Sequence, residues 1–415
     1  MRIIVDFHIH SKYSRATSPK MVLSELATWA KYKGIDVMGT GDFTHPYWFR
    51  EIKNNLIPLG NGLFSYKKEK KPKFMLTAEI SSIYTQNSKV RKVHTIVTAP
   101  SVETVEKINK KLGSIGNIYS DGRPILGLSA KELAKIIFEI DKNCMIIPAH
   151  MWTPWFSVFG SKSGFDSMEE CYEEISQEIF AGETGLSSDP EMNWRVKDLD
   201  RISLVSNSDA HSLPNLGREA TVFNFSDRNY SYIDIRNALK TKDKNKLLYT
   251  IEFFPEEGKY HFDGHRLCNI CLAPSESLKR NNICPACGRQ LTIGVSHRLE
   301  ELSSRKEGYI NNKFPGSKHI IPLQEIIAEY RGVGKNSKKV QTEYMQIITD
   351  TASEFEILLD IDEQKLLKTI DKGIVDGILR VRENEIKPIA GYDGVYGAIK
   401  VFDNEKKEIK QVRLL

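Results

Sequence analysis

The sequence predicts an α/β protein built on a largely parallel sheet, open or closed, with two further regions behind it. Three observations predict this. Over the first 240 residues, short apolar runs alternate with amphipathic stretches, as strands alternate with helices in such folds. Histidines and carboxylates recur near the ends of the apolar runs, where a barrel would gather them at one mouth. Two Cys-x-x-Cys pairs follow, and then a stretch with helical periodicity.

Residues 3–5 open a strand that runs into His8-Ile9-His10. Residues i and i+2 of a strand share a face, so both imidazoles aim at one point, which is half of a metal site. Ser18-Pro19 supplies an N-cap with proline after it, and Gly34 a stop, predicting a helix between them. Residues 35–39, 74–79 and 90–97 read as strands. Ser129 and Glu132 form a Ser-x-x-Glu box that opens a helix over 129–141. Residues 144–150, 178–183 and 202–209 read as the later strands, and 227–240 as a closing helix.

Ten side chains fall into register along this series: His8, His10, Asp42, His45, Glu79, His94, His150, Glu183, Asp209 and His211. Six of the ten histidines in the chain belong to it. The set exceeds one tetrahedral site, which needs four ligands. It suffices for two or three metals, with Glu79 as a bridge, and closely spaced metals suit phosphoryl chemistry. The reaction class implied is hydrolysis of a phosphate ester, with Asp209, His211, Glu79, His8 and His10 carrying the chemistry.

Composition is that of a globular protein, 40% hydrophobic and 27% charged, with a net charge of +5 that permits a polyanionic partner. No stretch approaches the roughly 18 apolar residues of a membrane span. The chain enters a strand at once, without the apolar segment of a secretion signal. Together with metal-type cysteine spacing, this leads us to expect a cytoplasmic protein.

Cys268-x-x-Cys271 and Cys284-x-x-Cys287 predict a four-thiolate structural zinc module, with Pro285 and Gly288 suited to its tight turns. Arg266, Lys279, Arg280 and Arg289 flank it. From residue 298 the chain reads as mostly helical to about 383. Gly332-Val333-Gly334 interrupts the helices, and Lys335, Lys338 and Lys339 follow. Backbone N–H groups at such a turn can hold a phosphate. Basic residues outnumber acidic ones between 226 and 345. Residues 391–397, glycine-rich around aromatics, read as a tight turn between short strands. The domains expected are a barrel over 1–240, a linker and zinc module over 241–297, and a helical DNA-binding region over 298–415.

The ordered series from His8 to His211 resembles the motif series of the PHP phosphoesterase superfamily. The resemblance covers about residues 1–225 and implies a distorted (β/α)7 barrel with usually three metals at its mouth: zinc first, manganese or magnesium as alternatives. One departure is Asp42-Phe43-Thr44-His45, where many members have Asp and His adjacent. This leaves open whether Asp42 is a ligand or supports one. The barrel, cysteine module and helical tail together resemble the endonuclease Q family, as do residues 41–46 and 148–156. That resemblance implies a metal-dependent endonuclease acting on DNA with damaged bases: a cut 5′ of uracil, hypoxanthine, xanthine or an abasic site, leaving 3′-hydroxyl and 5′-phosphate ends. The aromatic residues beside the ligands, Tyr47, Trp48 and Phe49 after His45 and Trp152, Trp155 and Phe156 after His150, would then stack on an extruded base. Two other readings stand: a small-molecule phosphatase of the histidinol-phosphatase kind, and a nucleic-acid binder without activity.

Overall fold

The computed structural model describes residues 1–227, 229–312 and 314–402. The first strand, Arg2–Asp6, lies parallel to Val37–Gly39, which lies parallel to Lys73–Gln86. Lys89–Ala99 folds back antiparallel in a register that pairs Ser81 with His94. Met145–Pro148 then runs antiparallel to it, with Thr95 opposite Pro148. The Met151 N–H donates to the Glu183 carbonyl, leading on to Ala181–Glu183, which pairs parallel with Ser203–Val205. A parallel bridge from Ile9 to Ala210 returns to the first strand. Seven strands thus close a ring, distorted because Lys89–Ala99 opposes its neighbours. Each contributes to one buried inner cluster, through Val5, Val37, Met75, Ile96, Ile147, Ala181 and Val205. These are the inward positions of an alternating pleat.

Helices cover the outside. Leu23–Lys33 buries Leu23, Leu26, Ala27 and Ala30, a 3–4 residue spacing, and stops at Gly34 in the left-handed conformation (φ 87°). It begins later than Ser18-Pro19 suggests, because its apolar periodicity starts at Leu23; Ser18 instead closes a turn onto Met21. Ala130–Ile140 is opened by the capping box of Ser129 and Glu132, and Tyr232–Thr241 by one between Ser231 and Asp234.

Two antiparallel strands, Ala220–Asn224 and Leu247–Glu252, and the short Ser317–His319 extend the sheet from the first strand toward the C-terminal region. That region packs Leu323–Arg331, Lys338–Asp350, Glu354–Leu359 and Lys372–Arg382. Residues 338–359 form two helices: Lys338–Asp350 ends at Thr351, and Ser353 caps the next with Glu356. Residues 403–415 of the expected helical region lie outside the described residues. Residues 391–397 join the antiparallel strands Lys387–Ile389 and Ala398–Lys400. They also brace the cysteine module: the Asp393 carboxylate accepts from the Arg266 N–H (2.6 Å) and the Thr292 hydroxyl (2.7 Å). Among the described residues no helix is long and apolar enough to cross a membrane.

Candidate metal centre

Glu79 stands at the centre of the site. It is buried in the middle of Lys73–Gln86, and its two oxygens face two groups of ligands. Glu79 Oε2 lies 3.5 Å from His8 Nε2 and 3.2 Å from His10 Nε2. Asp209 Oδ1 lies 3.6 and 3.1 Å from the same two nitrogens. Glu79 Oε1 lies 2.6 Å from His94 Nδ1 and 3.2 Å from His150 Nε2. The antiparallel register explains His94: opposite Ser81, and with its carbonyl accepting from the Ala149 N–H, it stands between Glu79 and His150 in mid-strand.

Backbone conformation places the remaining groups. Asp42 (φ 49°), His150 (φ 30°) and Asp209 (φ 45°) all lie in the left-handed region. Such residues cost about 1–3 kcal/mol each and persist where the surroundings fix them, commonly at functional sites.

Other members of the predicted series surround these groups without joining them. Asp42 accepts from His10 Nδ1 (3.0 Å), from the Ser11 N–H and hydroxyl (2.6 Å each) and from Ser14 Oγ (3.0 Å). Glu183 does the same for His8, at 3.1 Å from Nδ1, and accepts from the His150 N–H (2.7 Å) and Asn207 (2.9 Å). Each carboxylate fixes a ring and turns its Nε2 toward the centre. The His211 ring lies tilted at 4.4 Å from that of His10, its Nδ1 against the Asp209 carbonyl (2.9 Å). His45 sits further out, stacked at 4.4 Å on Tyr13, with Nε2 donating to the Tyr119 carbonyl (3.0 Å).

The donor set fits divalent metals on physical grounds. His8 Nε2, His10 Nε2 and Asp209 Oδ1 are buried without a hydrogen-bond partner. Orphaned buried polar atoms are rare and costly, and imidazole with carboxylate is a divalent-metal donor set. Burial alone would push the Glu79 carboxyl up, but His94, Arg123 and His8 hold it well below the usual range. Burial opposes charge on His8 too, yet Glu183, Asp209 and Glu79 raise it well above an ordinary histidine. A cluster so charged by its own carboxylates is poised for cations.

Sequence reasoning missed Arg123, whose Nη1 lies 2.9 Å from Glu79 Oε2. A lone arginine in a loop carries no periodicity or spacing signal.

The aromatic residues divide. Tyr47 is 50% exposed and Trp155 37%. Tyr47 lies 6.4 Å from Tyr119, and Trp155 lies 5.6 Å from Tyr260. Phe156 packs at 4.6 Å on His94. Trp48, Phe49 and Trp152 are corrected: all three are core residues, unavailable for stacking on a base. Trp48 and Phe49 lie with Ile52 on the inner face of Pro46–Asn55, and Trp48 Nε1 donates to Gly41 O (2.9 Å). Trp152 Nε1 donates to Asn193 Oδ1 (2.7 Å).

In the cysteine module His265, Cys268, Cys284 and Cys287 form the group able to hold one ion. The expected four-thiolate set is therefore composed differently here. Cys271, on the strand Ile270–Leu272, faces Ala390 O at 3.9 Å, while His265 Nδ1 lies 3.4 Å from Cys287 Sγ. Desolvation opposes ionisation of Cys284, but the N–H groups of Ala286 and Cys287 draw its thiol down to about 7. Arg266, Lys279, Arg280 and Arg289 are exposed around the module. Lys335, Lys338 and Lys339 are also exposed, with Lys335 paired to Glu325 at 2.8 Å.

A distorted seven-strand ring around a glutamate whose two oxygens face two histidine groups fits a metal-dependent phosphoesterase. Comparison with known proteins narrows this. The crystal structure of the lesion-specific endonuclease Q from Pyrococcus furiosus superposes with a TM-score of 0.86 at 31% identity, covering 99% of this chain and 98% of that one. An endonuclease Q complex with a 27-mer duplex carrying an abasic lesion at the active site gives a TM-score of 0.85 at 31% identity, over 99% of both chains. The chain belongs to the endonuclease Q family. Residues 322–385 match the family described as the MJ0043 C-terminal domain. The MJ0043 protein of Methanocaldococcus jannaschii, described as uncharacterised, is 33% identical over 265 residues; these span 62% of this chain and 32% of that protein, so this chain matches about a third of that relative's length.

Proposed function

We propose that this protein is a DNA-repair endonuclease that cuts the phosphodiester 5′ of a damaged nucleotide. The lesions are deaminated bases (uracil, hypoxanthine, xanthine) and abasic sites. The observation that carries the reading is Glu79, whose two oxygens serve two ligand groups at once. Divalent metals bound there, zinc first, would supply an activated water and offset charge on the phosphate. His8, His10, Asp209, Glu79, His94 and His150 would hold them. Asp42 and Glu183 hold the His10 and His8 rings in the tautomer that presents Nε2. His211 borders the same space beside His10, and His45 lies further out against Tyr13. In the reaction, water oxygen bonds to phosphorus and the P–O3′ bond breaks. The 3′ oxygen leaves with the electron pair and takes up a proton, so the products are a 3′-hydroxyl and a 5′-phosphate that keeps the lesion.

Recognition requires the damaged nucleotide to leave the stack, at a cost of a few kcal/mol that weak pairing lowers. Tyr47 and Trp155, exposed on the segments that follow His45 and His150, would support the extruded nucleotide. The cysteine module, holding one structural zinc, and Lys335, Lys338 and Lys339 would contact the duplex backbone of chromosomal DNA in the cytoplasm. The test is a nicking assay on duplexes with uracil, hypoxanthine or an abasic site beside an undamaged duplex, with ends mapped. Asp209→Ala should remain folded and lose nicking. Release of free uracil, or equal cutting of undamaged DNA, would refute the reading.

A further inference from the structure

Among the described residues, Arg123 is the one basic side chain outside the histidine set that pairs with the Glu79 carboxylate. Its loop is clamped on both sides. The Gly122 N–H donates to Tyr13 O (3.0 Å), the Thr44 hydroxyl donates to Gly122 O (3.1 Å), and the Ser81 N–H donates to Pro124 O (3.0 Å). A Cβ at Gly122 would collide with Ser14 Oγ and the Asp42 carboxylate, so the loop is seated directly on the groups that orient His10. The Asp121 carboxylate accepts from the Arg123 N–H (3.1 Å) and fixes the turn. The guanidinium is thereby delivered to Glu79 Oε2, the oxygen that also faces His8 and His10.

One pairing does not use this group up. A guanidinium carries five N–H donors in a planar fork suited to phosphate oxygens. Arg123 is about a quarter exposed, 27% of its side chain, so it is reachable from the solvent side. Glu79 engages only Nη1 and holds the guanidinium at the edge of the cluster, which leaves its other donors for a second anion arriving from the solvent side. The anion that enters this space in the reaction is the scissile phosphate, whose non-bridging oxygens gain charge as water attacks.

We infer that Arg123 is a catalytic residue that binds a non-bridging oxygen of the scissile phosphate and stabilises the charge that develops there. This deepens the endonuclease reading and rests on it for the identity of the phosphate. The test compares Arg123→Gln and Arg123→Lys with the wild type, all metal-loaded. Three quantities are measured: metal ions per chain, affinity for inorganic phosphate by calorimetry, and single-turnover cleavage of an abasic duplex and of bis(p-nitrophenyl) phosphate. For Arg123→Gln we expect unchanged metal content, phosphate affinity lower by about tenfold, and cleavage of both substrates slower by about 10²–10³-fold. Arg123→Lys, which keeps charge without the fork, should fall between. Loss of metal in parallel with rate would overturn the proposal, since Arg123 would then act only through Glu79. Phosphate affinity and rate within threefold of wild type would overturn it equally. Because bis(p-nitrophenyl) phosphate reports on the phosphoesterase centre alone, failure of the wild type on every lesion would count against the endonuclease reading and leave the Arg123 comparison readable.

Discussion

Lys33 and Glu354 form an ion pair of 2.7 Å, with both side chains almost wholly buried. Lys33 ends the first helix of the barrel, and Glu354 opens a helix of the C-terminal region. The same carboxylate accepts from the Leu323 N–H (3.0 Å) and the Tyr344 hydroxyl (2.7 Å), and Trp29 stacks on Tyr344 at 6.1 Å. Two parts of the chain over 300 residues apart are thus joined through one desolvated charge pair. Breaking a buried pair from one side leaves the other charge unpaired, at a cost of about 3–5 kcal/mol. Glu354→Ala should therefore lower stability by that amount in urea denaturation, and Lys33→Met by a similar one. A loss under about 1 kcal/mol in both would show that this contact does not join the regions.

Glu257 supplies a pH dependence of known sign. Burial, together with Glu325, pushes its carboxyl up to about 9, against the opposing effect of Lys335. Its Oε1 is buried without a partner. The folded protein then binds a proton at Glu257 that the unfolded chain releases near its ordinary value of 4.5. Between these two values the folded state holds more protons, so stability falls as pH rises from about 4.5 toward 9. Glu257→Gln should raise the Tm at pH 8 and leave it little changed at pH 4.5. Parallel Tm curves for variant and wild type across this range would contradict the buried neutral carboxyl.

The alternation of strand and helix was legible because it rests on local apolar spacing, which is why the ring and its outer helices follow the expected order. Less legible was strand direction. Lys89–Ala99 carries the same apolar signal whether it runs parallel or antiparallel, and only the pairing of Ser81 with His94 reveals which. Ligand candidates were visible as residue types at strand ends, but the split between those facing the centre and those orienting others was not. Asp42 and His8 look alike in a sequence; hydrogen bonds to His10 and Ser11 distinguish the former. Trp48, Phe49 and Ile52 follow a helical spacing behind Pro46, so their burial is readable in the sequence, although the aromatic character of the first two suggests a stacking surface. Arg123 was not readable at all, because its meaning comes from a loop folded onto Ser14 and Asp42.

That division among the aromatics gives a sharp comparison of variants. Tyr47 and Trp155 are exposed on the segments that follow His45 and His150, whereas Trp152 is 1% exposed and bonded to Asn193. Base–aromatic stacking is worth about 1–3 kcal/mol per base, and it matters most when a base must be drawn out of a duplex. Tyr47→Ala and Trp155→Ala should keep wild-type stability and metal content. Each should slow cleavage at uracil in a duplex by about tenfold or more, with a smaller loss on single-stranded uracil, where less unstacking is required. Trp152→Ala should behave differently. Removing a buried tryptophan costs about 3–5 kcal/mol, so this variant should unfold at lower temperature and lose both substrates together. Melting curves, metal content and single-turnover rates on the two substrates separate the cases. Equal losses on duplex and single strand for Tyr47→Ala and Trp155→Ala would remove both residues from base extrusion. An unaltered melting temperature for Trp152→Ala would contradict its place in the core.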